Sequence, residues 1–230
     1  MGETGDVRVI SVDRPGLGAS TGKPGRTFAG FAEDIGELIA ARGLGRPAMV
    51  GNSQGAPFAL ACAASVSALA LVSGADEVAA PGFELPPPVR DLVDRVIGDP
   101  AGAEEFFAGF SADAMWDMVI GNCGEHDLAV YREPGFAAAY RRAMDEAFAQ
   151  GAAGYARDTV LAMGRWPFAL EHIGIPVTIW YGEHDTSHSP DHGRLLASRI
   201  PGAVRHVVPG AGGSLMWTHT NEILRALTQR

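Results

Sequence analysis

The chain has 230 residues, 47% of them apolar and 20% charged, with a net charge of −9. That suits one domain, with or without an inserted lobe, and excludes a disordered chain. The acidic excess of 27 over 18 excludes a basic face for a phosphate backbone, and the two distant cysteines, Cys62 and Cys123, exclude a disulfide scaffold and a zinc site. No nucleic-acid partner and no metal are therefore expected, and a reducing cytoplasm is the expected location.

Residues 1–6 are acidic and lack an apolar run, so no signal peptide is read there. Residues 7–12 (VRVISV) are rich in β-branched side chains and predict a strand. The turn-rich run Asp13-Arg14-Pro15-Gly16-Leu17-Gly18 follows. Residues 28–42 carry Phe31, Ile35, Leu38 and Ile39 at helical spacing and stop before Gly43. Residues 48–50 read as a short apolar strand.

From residue 47 to residue 75 the chain has no charge, a length sufficient to cross a bilayer. Gly51, Asn52, Ser53, Gln54, Gly55 and Pro57 fill its first half, however. A buried helix over 54–64 and a buried strand over 66–72 explain the run better, and no membrane partner is expected. The link Ala64-Ser65 is short for a helix-to-parallel-strand connection, which predicts a shortened helix.

Residues 81–170 show helical patterns at 89–97, 103–110, 112–120, 136–150 and 155–163, and no strand. Twelve of the 18 aromatic residues fall in this stretch; most are expected to form a small core of the lobe, the rest to cover an apolar pocket. Strands return at 177–181 and 204–208, with helices at 190–199 and 221–228. The expected fold class is α/β: a mostly parallel sheet covered by helices on both faces, with a helical cap inserted between two strands. Residues 1–76 and 171–230 would form the core and 77–170 the cap.

The strongest chemical signal is Gly51-Asn52-Ser53-Gln54-Gly55, a G-x-S-x-G placed between a strand and a helix. A sharp strand-to-helix turn strains the middle residue and lifts its hydroxyl from the sheet edge. Glycines two before and two after remove side chains that would clash. The helix start offers free N–H groups, that of Gln54 included, to a developing oxyanion.

With this motif the chain resembles the α/β-hydrolase fold superfamily over nearly its whole length. Residues 9–20, from Val9 through Asp13-Arg14-Pro15-Gly16 to Ser20, are similar to the strand and loop ahead of the elbow. Tyr181-Gly182-Glu183-His184-Asp185 resembles the strand end that carries the triad acid, and Val208-Pro209-Gly210-Ala211-Gly212 the loop that carries the histidine. The resemblance implies Ser53 as nucleophile, Asp185 as orienting acid, Gln54 as oxyanion donor and no cofactor. Asp76, after the preceding strand, is a second candidate acid and is read as a helix cap for the insertion.

Two features depart from that pattern. Gly213 stands where the family places histidine, and a serine alcohol needs a base. His219 is the expected base, with His188 as the alternative; His126, His172 and His206 read as structural or surface residues, His192 as solvated, and His184 as facing away from Asp185. Only six residues precede residues 7–12, where the family has further strands. Either the flanking strands pair directly, another chain fills the gap between two sheet edges, or the protein starts upstream of Met1, and the usual second oxyanion donor is lost only if those strands are truly absent. Loss of one such donor typically costs about 2.7–4 kcal/mol.

The sequence thus predicts a serine hydrolase acting on a small ester, thioester or amide with an apolar part. A hydrolase-like ligand-binding protein, or an incomplete core needing a partner chain, stays open beside it. A homodimer through the exposed edges is a further expected arrangement.

Overall fold

The computed structural model describes residues 7–228. Helix α1 (Phe28–Ala41) starts where the Thr27 hydroxyl accepts the Gly30 N–H at 3.1 Å, and it buries a stripe of Phe28, Phe31, Ile35 and Ile39. Strand β1 (Ala48–Ser53) leads into helix α2 (Gly55–Ala61) and a 3-10 turn at Ala63–Ser65. The helix is shortened, as the link before the next strand predicts. Strand β2 (Ala68–Gly74) is buried along its whole length.

Six helices then intervene before the next strand: α3 (Pro87–Gly98), α4 (Pro100–Phe107), α5 (Ala112–Asn122), α6 (Glu125–Tyr131), α7 (Pro134–Ala147) and α8 (Ala153–Met163). Three of them begin on proline, whose missing N–H costs nothing in a first turn. Strand β3 (Val177–Gly182), helix α9 (Arg194–Arg199), strand β4 (Val204–Val208) and helices α10 (Leu215–Thr218) and α11 (Thr220–Thr228) complete the chain. No helix among the described residues is long and apolar enough to cross a membrane.

The four strands form one sheet in the order β1-β2-β3-β4, all parallel. Alternation along the strands supplies two cores. Leu69, Leu71, Val177, Ile179 and Tyr181 pack with α1, α2 and α9 on one face. Ala68, Ala70, Val72 and Trp180 meet α10 and α11 on the other.

Residues 7–12 are not the expected strand. Val7, Val9, Ile10 and Val12 are exposed, and β1 is an edge of the sheet among the described residues. β-Branched side chains favour a strand only where a neighbour takes up the backbone hydrogen bonds and packs on one face, and no described strand flanks this segment.

The insertion has a small core of its own, around Val96, Ala103, Phe107, Ala156 and Val160. Near its ends it is tied to the sheet by Glu77, a buried carboxylate. Glu77 accepts the Trp166 N–H at 2.8 Å and pairs with Arg199 at 2.6 Å and Arg165 at 3.4 Å.

Candidate active site

Ser53 ends β1 with φ +48°, a left-handed conformation that costs a non-glycine residue roughly 1–3 kcal/mol. Its carbonyl accepts the Ala75 N–H at 2.8 Å, which anchors the turn to the chain leaving β2. A methyl on Gly51 would lie 2.8 Å from Ala56 Cα and 2.8 Å from Ala59 Cβ, so glycine is required where α2 folds back over β1. At Gly55 the nearest atom to such a methyl is Arg14 Nη1 at 3.9 Å. The second glycine of the motif is therefore not demanded by crowding, contrary to the expectation from the sequence.

Gln54 fastens the elbow to the insertion. Its Nε2 donates to Thr159 Oγ1 at 2.9 Å, and its Oε1 accepts from Arg14 Nη2 at 3.1 Å. Arg14 Nε in turn donates to Asp158 Oδ2 at 2.6 Å. The other Asp158 oxygen is bonded to Arg26, whose guanidinium also donates to Gly154 O at 2.7 Å. Asp158 is fully buried and Arg26 nearly so. Two guanidinium groups sharing one carboxylate leave a formal charge of +1 behind the elbow. No sequence signal marks this cluster, because its members lie as far as 144 positions apart.

Asp185, 2% exposed, follows the end of β3. Its Oδ1 and Oδ2 stand 2.9 and 3.0 Å from His188 Nδ1, and Oδ1 also accepts the Ser187 N–H at 3.1 Å. Burial alone would raise its pKa, but the hydrogen bond and charge of His188 and the Ser187 N–H hold it below the ordinary carboxylate value. The buried Ser73 hydroxyl adds to this, near enough to favour the charge without the geometry of a hydrogen bond.

The His188 ring lies against Gly213, with Cε1 3.0 Å and Nδ1 3.2 Å from where a methyl on that residue would stand. His219 is placed differently. It ends α10 with Nδ1 2.8 Å from Thr218 Oγ1, and Asp185 does not bond it. The structure thus brings Asp185 together with His188 and leaves His219 on its neighbour.

Asp76 is buried and bonded to Ser189 Oγ at 2.9 Å and to the Glu77 N–H at 2.8 Å, with no imidazole partner. It caps no helix of the insertion, whose first helix begins at Pro87. Burial pushes its pKa up to about 6 against the pull of these two hydrogen bonds. Of the remaining histidines, His206 stacks on Trp180 at 3.9 Å between ring centroids and His126 on His184 at 4.8 Å.

A family model described as "Alpha/beta hydrolase family" matches residues 2–226. No curated protein sequence matches significantly. Among solved structures, a hydrolase from Pseudomonas aeruginosa superposes with a TM-score of 0.67 at 21% identity, over 94% of this chain and 77% of that one. A thermophilic esterase from Thermogutta terrifontis gives 0.65 at 21% identity, over 93% and 75%. An enol-lactonase from Burkholderia xenovorans gives 0.64 at 21% identity, over 93% and 76%.

Proposed function

Because the chain belongs to the alpha/beta hydrolase family, we propose that it is a serine hydrolase that cleaves a small carboxylic ester with an apolar part, with Ser53 as nucleophile, His188 as base and Asp185 as the acid that orients it. The observation that carries this reading is the Asp185–His188 hydrogen bond. An ionised carboxylate only accepts, so the proton between the two groups belongs to His188 Nδ1, and in the neutral ring of that tautomer Nε2 is the nitrogen that can take a proton. A serine alcohol needs such a base; a pocket that merely binds does not.

In this mechanism Ser53 Oγ attacks the ester carbonyl carbon as His188 Nε2 takes the hydroxyl proton. The Gln54 N–H bonds the oxygen that becomes negative, and the +1 cluster behind Gln54 favours that charge. The tetrahedral intermediate collapses, the C–O bond to the alcohol breaks, and His188 returns the proton to the departing oxygen. Water, deprotonated by the same imidazole, then attacks the acyl-Ser53 carbonyl and releases the acid. Among the similar structures are an esterase and an enol-lactonase, which supports an ester over a thioester or an amide. The insertion acts as the cap over the acyl or alcohol part.

The test is hydrolysis of p-nitrophenyl acetate and butyrate, with fluorophosphonate labelling of the folded protein. Ser53→Ala and His188→Ala are expected to lose about 10⁴-fold in kcat, whereas His219→Ala stays within about threefold of wild type. The reverse ranking of the two histidines would reassign the base. Folded wild type that neither turns over nor labels at Ser53 would remove the hydrolase reading in favour of ligand binding.

A further inference from the structure

The insertion grips the loops around His188 through one short stretch, Asn122 to Asp127. The Ser187 hydroxyl donates to Asn122 O at 3.1 Å. The His126 and His184 rings stack with 5° between their planes. Asp127, in the first turn of α6 and 5% exposed, accepts two backbone N–H groups, from Gly213 at 2.9 Å and from Ser214 at 2.8 Å. Both of its oxygens are thereby committed to the loop after β4.

That loop is Gly210-Ala211-Gly212-Gly213-Ser214, and it has few side chains with which to fix itself. Each of its two adjacent glycines faces a different functional group. A methyl on Gly212 would overlap the Asp127 carboxylate, and one on Gly213 would press on the His188 ring. The backbone is a partition one residue thick, with a carboxylate of the insertion on one side and the imidazole on the other. N–H bonds to a buried carboxylate are charge-assisted and about twice as strong as neutral ones, so Asp127 is what gives this partition a fixed position.

We propose that Asp127 is a positioning residue of the hydrolytic site: it holds the Gly213 backbone as the surface against which His188 is aimed. This rests on His188 being the base. The partition sets where the imidazole stops, Asp185 sets how it is turned, and together they fix Nε2. A displacement of about 1 Å at a catalytic group can cost on the order of 10²-fold in rate.

The experiment compares wild type with Asp127→Asn, Asp127→Ala, His188→Ala and the double variant Asp127→Asn/His188→Ala, using p-nitrophenyl acetate and enzyme concentrations set by melting-verified folded protein. The Asp127 variants are expected to lose about 10–100-fold in kcat with KM within about twofold. The double variant is expected to be no slower than His188→Ala, because Asp127 acts through that ring. Unchanged kcat, a loss that multiplies in the double variant, or failure of both Asp127 variants to fold would each overturn the proposal. Full activity in His188→Ala would instead overturn the assignment of the base, an outcome distinguishable from all of these.

Discussion

The imidazole of His188 fills the space that a side chain at Gly213 would need, 3.0 Å from Cε1 and 3.2 Å from Nδ1. The position where the family pattern puts a histidine thus carries no side chain, and a ring from the neighbouring loop lies against it. Gly213→Ala is expected to push that ring and lower kcat about 10–100-fold, with little change in melting temperature. Steady-state kinetics and a thermal melt of the same preparation check it.

Ser53 holds a left-handed backbone that serine tolerates poorly. Ser53→Gly is expected to abolish turnover while stabilising the fold by about 1 kcal/mol, as the strain of φ +48° is released. Urea denaturation of both proteins measures it, and a destabilised Ser53→Gly would show that the turn is not strained.

Among the described residues Asp158 is the carboxylate that pairs with both Arg14 and Arg26. Asp158→Ala leaves two guanidinium groups facing each other in a largely buried site and is expected to destabilise by about 3–5 kcal/mol. The conservative Asp158→Asn, which keeps an acceptor, is expected to fall between wild type and the alanine variant in the same denaturation series.

Asp76 titrates at about 6 when folded, above the ordinary 3.8. Between those two values the folded state holds a proton that the unfolded chain has lost, so the contribution of Asp76 to stability falls as pH rises through this window and is level above it. Asp76→Asn keeps an acceptor for the Glu77 N–H and removes the buried charge. It is expected to be as stable as wild type near pH 3.5 and more stable by up to about 3 kcal/mol at pH 8. Denaturation at the two pH values checks the sign.

The sequence disclosed the elements whose information is local. The apolar stripe of α1, the paired apolar strands and the strand–Ser53–helix junction all follow from short-range pattern and turn chemistry. What it did not disclose depends on partners. Residues 7–12 have every local mark of a strand but no neighbour to hydrogen-bond, so propensity goes unused. Helices α6 and α10, of seven and four residues, are too short to show a period. The Arg14–Asp158–Arg26 cluster and the Asp127 contacts join positions 86 to 144 apart, and no periodicity spans that distance. That Asp185 bonds His188 and not His219 was likewise hidden, because the path of a four-residue loop is not written in its composition.

Only three positions separate Asp185 from His188, so their contact belongs to a single bend of the chain. Closing so small a ring costs little entropy, and the Asp185–His188 contact is assembled as soon as that bend forms. In an arrangement where acid and base come from separate loops, each must be delivered by its own strand. Here the contact within 185–188 is set by the bend itself, and on the proposed reading tertiary folding has to bring to it the Ser53 oxygen and the Gly213 loop held by Asp127.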